Sequence, residues 1–429
     1  MIQDLIVTTD PALPLLHLSV VTKSGALLDP PGKEGAVRLL FRLMRRSVVG
    51  MSPEEVDEAF DSLGATLGVD VQRSTAGFHG GCIAREKTSF FTLVCQLVSQ
   101  PDFSLDEFTR LKNEALAEWQ ESLDNDSILV RRALTRHLFV DHPYSRLAGG
   151  DAESLQKISL DDLKELHSRL FSAGSLIVSL AGDVTESEAV QLKADLDRAL
   201  NDTHLNPPEG PQPQVPAGRR LVFVDKAERT QTQIAIGGLG THPLDMDHTA
   251  LYIAHTIFGG TFTSRLSREV RGKRGWSYGA SSSLPIDRMR QSFSLWTFPK
   301  SDDAAACVRL QLDLLETFIQ KGVKNSELSA AKRYLSNSHV FSIDTAAKRA
   351  SLALDAQIYQ LPRGYFDEYL ARISACTLEE VNAAIKQRLS AEDLLVCVVG
   401  TKEAILDEVA ASIPRLKNTV VLPHNAPAA

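Results

Sequence analysis

Residues 257–279 read IFGGTFTSRLSREVRGKRGWSYG, and this stretch is the most informative in the chain. The glycine pair at 259–260 permits a sharp turn, because glycine adopts backbone conformations that other residues avoid. Residues 264–270 have the apolar spacing of an amphipathic helix. Two further glycines favour the end of that helix before a strand that is predicted to begin at Trp276.

Arg271 and Tyr278 are predicted to lie at opposite ends of the loop that follows this helix. Arginine presents a fixed fork of N–H donors, and tyrosine presents one O–H donor. Together the two side chains would hold a peptide carbonyl and stabilise an oxyanion that forms on it. The alternative interpretation is a solvated charge at a helix end and a half-buried aromatic ring in a strand.

Size and composition limit the possible functions of the chain. Its 429 residues suit two domains, and 43% apolar residues allow both to bury a core. The 46 basic and 54 acidic side chains give a net charge of −8, which argues against a nucleic-acid footprint. The sequence contains no run of 18 apolar residues, so no membrane span is predicted. The five cysteines are scattered, which favours buried thiols over a disulfide framework or a zinc site.

An internal repeat predicts two similar domains. Residues 159–182 match residues 377–400 at a constant offset of 218, with helix, turn, apolar strand and glycine in the same order. Five prolines between residues 203 and 218 indicate a linker. We therefore predict an N-terminal domain over 1–202, a linker over 203–218 and a C-terminal domain over 219–429. The expected fold class is α+β, with helices on one face of a mostly antiparallel mixed sheet in each domain.

The chain resembles the processing-peptidase-like branch of the pitrilysin/insulinase superfamily. Residues 264–278 match its C-terminal-domain signature S-R-L-x-R-E-x-R-x-x-x-G-x-x-Y at every fixed position. The resemblance implies that two such domains form half of a clam shell. It also implies that Arg271 and Tyr278 complete an active site whose zinc lies on a different domain, often on a different subunit.

The resemblance also suggests residues that bind the substrate. The glycine-rich segment before the signature contains Gly259, Gly260, Thr261 and Phe262, which are expected to contact a peptide. Gln233 lies in a stretch that is similar to the first strand of the family's C-terminal domain and is expected to line the substrate groove.

The zinc motif of the family is replaced in this sequence. Catalytic members carry H-x-x-E-H on the helix after a P-G-K-E-G loop, and here residues 31–35 form that loop. Arg38, Phe41 and Arg42 then stand where the two histidines and the glutamate would be. Because arginine has no lone pair to give, no metal is expected in this chain. Glu118 stands at the position of the third ligand and is expected to pair with Arg38 or Arg42, unless it lies on a solvated helix face.

The histidines do not predict a substitute metal site. His248 and His255 are seven residues apart on one predicted helix face, but no glutamate has the spacing that a zinc site needs. They are more typical of ordinary core or surface histidines.

The sequence thus predicts a non-catalytic subunit of a heterodimeric zinc metallopeptidase. Its partner would be an H-x-x-E-H subunit of the same superfamily that holds the zinc, and this chain would hold no cofactor. The alternative is a peptide-binding or assembly protein of the same fold without a role in proteolysis. A soluble chain is expected, and its compartment is left open between the bacterial cytoplasm and the periplasm. The N-terminal sequence MIQDL lacks the charged region and apolar core of a signal peptide, but a mature form would look the same.

Overall fold

The computed structural model describes residues 4–172, 174–200 and 212–426, and these form two compact units. The first unit contains the described residues up to 119, those from 147 to 200, and 340–366. The second contains 120–146, 212–339 and 367–426. Each unit therefore includes a segment from the other half of the sequence. The predicted division at a linker over 203–218 did not anticipate this exchange, and residues 201–211 of that region lie outside the described residues.

The strands are numbered in chain order. They are β1 (Leu5–Thr9), β2 (Leu15–Thr22), β3 (Thr66–Val71), β4 (Ala76–Ile83), β5 (Leu176–Gly182), β6 (Arg219–Asp225), β7 (Gln233–Leu239), β8 (Ala280–Ser283), β9 (Ser292–Thr297), β10 (Leu395–Gly400) and β11 (Leu416–Pro423).

The α-helices are numbered in the same way. They are α1 (Ala36–Arg45), α2 (Pro53–Ser62), α3 (Lys87–Ser99), α4 (Leu105–Ser122), α5 (Asp126–Leu138), α6 (Ala152–Lys157), α7 (Leu160–Leu170), α8 (Glu186–Ala199), α9 (His248–His255), α10 (Arg265–Ser267), α11 (Ala304–Lys321), α12 (Asn325–Ile343), α13 (Ala346–Ile358), α14 (Tyr369–Ala375), α15 (Leu378–Arg388) and α16 (Lys402–Ser412).

Each unit contains one mixed sheet. The first has the order β1-β5-β2-β4-β3, in which only the β1–β5 pair is parallel. The second has the order β11-β6-β10-β7-β9-β8, in which β11, β6 and β10 are parallel and the remaining pairs are antiparallel. The predicted α+β class with mixed sheets is confirmed.

The exchanged segments place one helix on the second face of each sheet. In the first unit α13 packs against β1 and β5, where Leu354 and Ile358 contact Val21 and Ile177. In the second unit α5 packs against β7 and β10. Gly237 of β7 permits this close approach, because a Cβ atom there would lie 2.9 Å from Cδ1 of Leu134. The sequence predicted helices on one face only, because both segments were expected to pack within their own halves of the chain.

In the described part of the chain, no helix combines the length and the apolarity that a membrane crossing requires.

Candidate functional site

The loop before α1 fixes where that helix begins. The buried Asp29 carboxylate accepts hydrogen bonds from the N–H groups of Gly35 at 2.9 Å and Val37 at 2.8 Å. Gly35 has φ +95°, and a Cβ atom there would lie 2.8 Å from the carbonyl oxygen of Gly149. A carboxylate at the first turn also suits the positive end of the helix dipole. The P-G-K-E-G loop therefore positions the residues of the motif that follows it.

Phe41 lies in the hydrophobic core at the position that the resemblance assigns to the catalytic glutamate. Its side chain is fully buried. Its ring centroid lies 5.1 Å from that of Phe78 in β4 and 5.2 Å from that of Phe171. An apolar ring in this environment can neither bind nor activate a water molecule.

Arg38 and Arg42 both pair with Glu118 of α4. Arg38 donates to Oε2 of Glu118 at 3.0 Å, and Nη1 of Arg42 lies 2.9 Å from Oε1. The second contact is an ion pair without the direction of a hydrogen bond, since Nη1 has no hydrogen-bond partner within the described residues. Arg42 also donates to Glu114 at 3.1 Å. The predicted pairing of Glu118 with Arg38 or Arg42 is confirmed, and it involves both arginines.

These contacts belong to a longer ladder of ion pairs between α1 and α4. Arg46, at the end of α1, donates to Glu107 at 2.9 Å, and Arg110 donates to the same carboxylate. Hydrogen bonds from Arg110 hold the pKa of Glu107 below its usual range, although burial acts in the opposite direction. Arg110 also pairs with Glu114, which joins this end of the ladder to Arg42.

The chemistry of the ladder does not suit a metal. Guanidinium groups are permanently charged and repel a dication, and Glu118 offers only one carboxylate. Throughout the described ranges, no group of three or more His, Cys, Asp or Glu side chains is arranged to hold a metal ion. The half-exposed pairs contribute little stability individually, about 0–1 kcal/mol each.

His248 and His255 make structural contacts instead of forming a site. Nδ1 of His248 lies 2.9 Å from the hydroxyl of Thr241, and Nδ1 of His255 lies 2.7 Å from that of Ser282. Burial lowers the pKa of each histidine to about 4, so both rings are neutral at pH 7.

The informative stretch forms a chain of short helical turns in the second unit. Helix α9 continues into a π-helical turn over Thr256–Gly260, and α10 widens into a second one over Arg268–Lys273. Ser264 caps α10 by accepting from the N–H of Ser267. The prediction of one α-helix over 264–270 was therefore right about its start and wrong about its form.

The strand predicted at Trp276 begins instead at Ala280. The intervening residues are held in an irregular loop by Ser277. Its hydroxyl donates to the carbonyl oxygen of Gly279 and accepts from the N–H of Phe298. Tyr278 therefore lies in the loop and not in a strand.

Arg271 lies against an exposed aromatic ring. Its guanidinium carbon is 4.0 Å from the ring centroid of Phe262, within the range of a cation–π contact. Phe262 is 70% exposed and Tyr278 is 84% exposed. Within the described residues, Arg271 has no ion pair and the Tyr278 hydroxyl has no hydrogen bond. The structure thus brings Arg271 to Phe262 and leaves the donors of both predicted catalytic residues unengaged.

The other predicted substrate-binding residues have different surroundings. Gly259 is buried against β8, where a Cβ atom would lie 2.6 Å from the N atom of Ser282, whereas Gly260 is exposed. Thr261 is partly buried at the wall of a cavity. Gln233 begins β7, and its side-chain oxygen accepts from Nε1 of Trp296 at 2.9 Å.

Arg265 helps to hold the turn of the candidate site in place, a role that was not predicted from the sequence. It forms two hydrogen bonds with Glu327, at 2.7 and 2.6 Å, and a third with the carbonyl oxygen of Gly322 at 2.9 Å. These bonds tie the turn to the start of α12. The fixed spacing of the signature gave no indication of this partner, which lies 62 residues away in the sequence.

The two mixed sheets and their helices match the fold of the peptidase M16 inactive domain. A model of the Peptidase M16 inactive domain matches residues 157–335. A crystal structure of a peptidase M16 inactive domain from Pseudomonas fluorescens superposes with a TM-score of 0.85 at 25% identity, over 94% of this chain and 96% of that one. The predicted relationship to the pitrilysin/insulinase superfamily is confirmed.

Two bacterial relatives are similar over most of their length. The non-peptidase homolog YmxG of Helicobacter pylori is 22% identical over 396 residues, which cover 91% of this chain and 90% of the relative. Rv2782c of Mycobacterium tuberculosis, described as an uncharacterized zinc protease, is 24% identical over 83% of this chain and 82% of its own length. The matches to the inactive domain and to the non-peptidase homolog support a non-catalytic protein of the M16 fold, whereas the similarity to Rv2782c supports only the fold.

Proposed function

We propose that this chain is the non-catalytic subunit of a heterodimeric zinc metallopeptidase. In this proposal its zinc site has been lost, and it binds the peptide substrate and supplies Arg271 and Tyr278 to the active site of an H-x-x-E-H partner. The observation that supports it best is the state of Arg271. Its guanidinium rests on Phe262 and has no acidic partner among the described residues, so its donors are available to a ligand.

The two side chains would act on the scissile carbonyl in different ways. Zinc in the partner would supply the activated water. Arg271 would hold the peptide through its fork of N–H donors and so orient the carbonyl group. Tyr278 would donate its O–H to the oxyanion as negative charge develops on the carbonyl oxygen.

The ladder of ion pairs between α1 and α4 is consistent with a zinc site that lies in the partner and not in this chain. Arg38 and Arg42 engage Glu118, the carboxylate at the position of the third zinc ligand, so it is neutralised without a metal. A chain with this ladder depends on a partner for catalysis.

Reconstitution tests the proposal. The candidate partner is any H-x-x-E-H protein of similar length that a neighbouring gene encodes. Peptide hydrolysis is measured for each protein alone and for their mixture. We expect the chain alone to be inactive and the mixture to be far more active than the partner alone. If the mixture only matches the partner alone, the chain is better described as a peptide-binding or assembly protein.

A further inference from the structure

A cavity of about 270 Å³ lies beside the informative stretch, within the second unit. Thr261, Thr263 and Arg268 line one side of it, and Ser326 and Tyr334 of α12 line the other. The wall is therefore formed by two elements that Arg265 holds together through its hydrogen bonds with Glu327.

The charged groups at this cavity leave one positive charge unbalanced. Glu327 also lines it, but both of its oxygens are engaged by Arg265. Burial opposes the ionisation of Glu327, yet hydrogen bonds with Arg265 and the charges of Arg265 and Arg268 hold its pKa below its usual range. Arg268 is exposed and forms no ion pair within 4.0 Å in the described part of the chain. Two guanidinium groups thus face one carboxylate.

Four of the hydroxyl groups that line the cavity with Arg268 have free hydrogen-bonding capacity, whereas those of Thr256 and Ser264 are engaged with Tyr252 and Ser267. The side chains of Thr261, Thr263, Ser326 and Tyr334 make no hydrogen bond inside the described ranges. Each hydroxyl has one donor to offer, and a guanidinium has several. A cavity with this lining is suited to an anionic oxygen ligand.

We infer that this cavity binds the carboxylate of an acidic side chain in a peptide. One unbalanced guanidinium matches one carboxylate, whereas a phosphate dianion would leave a negative charge uncompensated. A peptide is the favoured source because Thr261 belongs to the segment that is expected to contact the substrate. In this respect the inference rests on the proposed function, and it adds a preference for acidic residues in the substrate.

Alanine methyl groups allow a direct test on the chain alone. Ala330 and Ala331 line the same cavity, so ¹³C-methyl labelling of alanine places two reporters in it. The labelled chain is titrated with N-acetyl-Gly-Glu-Gly-amide and with its Gln counterpart. We expect the Glu peptide to shift both methyl resonances. Its dissociation constant should be about one tenth of that of the Gln peptide, or lower. Arg268→Gln should remove this difference.

Arg333→Gln provides the matched control, because Arg333 is an exposed arginine of α12 that does not line the cavity. This variant should respond to the Glu peptide as the native chain does. Equal responses to the Glu and Gln peptides, or an equal loss in both variants, would overturn the inference. An equally strong response to inorganic phosphate would overturn the assignment to a peptide. The titration needs no catalytic partner, so its failure is distinct from a failure of the reconstitution assay.

Discussion

Tyr278 and Arg271 should have separable effects on catalysis by the reconstituted complex. Tyr278→Phe removes one O–H donor from the oxyanion, so turnover should fall roughly a hundredfold while association with the partner is unchanged. Arg271→Ala should raise KM and lower kcat together, because a group that anchors the peptide acts in the ground state and in the transition state. Steady-state kinetics with a peptide substrate measures both effects.

Arg274→Ala is the control for these two variants. Arg274 lies in the same turn but pairs with Glu269, at 2.8 Å, and it is not expected to reach the substrate. Its removal should change the activation free energy by less than about 0.5 kcal/mol. Near-normal kinetics in a complex that carries both Tyr278→Phe and Arg271→Ala would exclude the composite active site.

Phe41 should matter for stability and not for catalysis. Its fully buried ring contacts Phe78 and Phe171, so Phe41→Ala should lower the free energy of unfolding by about 3–5 kcal/mol. Denaturant unfolding measures the loss. Val49→Ala, at a residue that is 63% exposed, should cost less than about 0.5 kcal/mol. Similar losses for both variants would contradict the core role of Phe41.

At the scale of secondary-structure elements, α9 carries a pH-dependent contribution to stability. Burial lowers the pKa of His248 and His255 to about 4, against about 6.5 in the unfolded chain. Below pH 6.5 the unfolded state therefore binds more protons than the folded state, and stability falls as the pH falls towards 4. Each histidine accounts for a loss of unfolding free energy on the order of 3 kcal/mol as the pH falls through this window.

Unfolding free energies between pH 7 and pH 4 test this expectation. His248→Gln and His255→Gln should each flatten the dependence, and the double variant should flatten it most. The comparison uses the slope against pH, so a loss of stability at pH 7 does not confuse the result. An unchanged slope in the double variant would assign the pH dependence to other groups.

Whether an element can be predicted from the sequence depends on how far apart in the sequence the residues that form it lie. The start of a helical turn at residue 264 and the pairing of Glu118 were predicted, because a local pattern of apolar residues and complementary charge at motif positions determine them. The π-helical turn over Arg268–Lys273 was not, since residue spacing does not distinguish an α-helical from a π-helical hydrogen-bond pattern. The contact between Arg265 and Glu327 depends on the tertiary fold, which no single-sequence pattern encodes.

At the scale of the whole molecule, the exchange of α5 and α13 was beyond sequence analysis for the same reason. Both helices have ordinary amphipathic sequences, and the choice of sheet is made by packing. Gly237 opens the surface on which Leu134 of α5 packs, but a glycine in a strand is equally typical of a bulge or a tight bend. The internal repeat predicted two similar α+β halves. It could not show that each half of the sequence supplies a helix to the unit that the other half forms.

The metal content of the chain and its association with a partner are also properties of the whole molecule. We expect the purified chain to hold no stoichiometric zinc, because Arg38 and Arg42 offer no lone pair and Phe41 is buried in the core. With its H-x-x-E-H partner it should form a heterodimer that contains one zinc, through an interface of more than about 1,000 Å². Light scattering gives the mass of the complex, and elemental analysis gives its metal content.

Two variants separate the roles of the subunits in this experiment. Changing the first histidine of the partner's motif to alanine should remove the zinc and leave the heterodimer intact, because buried surface and not the metal would hold the proposed interface together. Tyr278→Phe should leave both the mass and the zinc content unchanged, because an 84% exposed tyrosine holds neither the fold nor the metal. About one zinc per chain in the isolated protein, retained after mild chelation, would contradict the proposed loss of its metal site. A strictly monomeric chain in the presence of the partner would contradict the heterodimer.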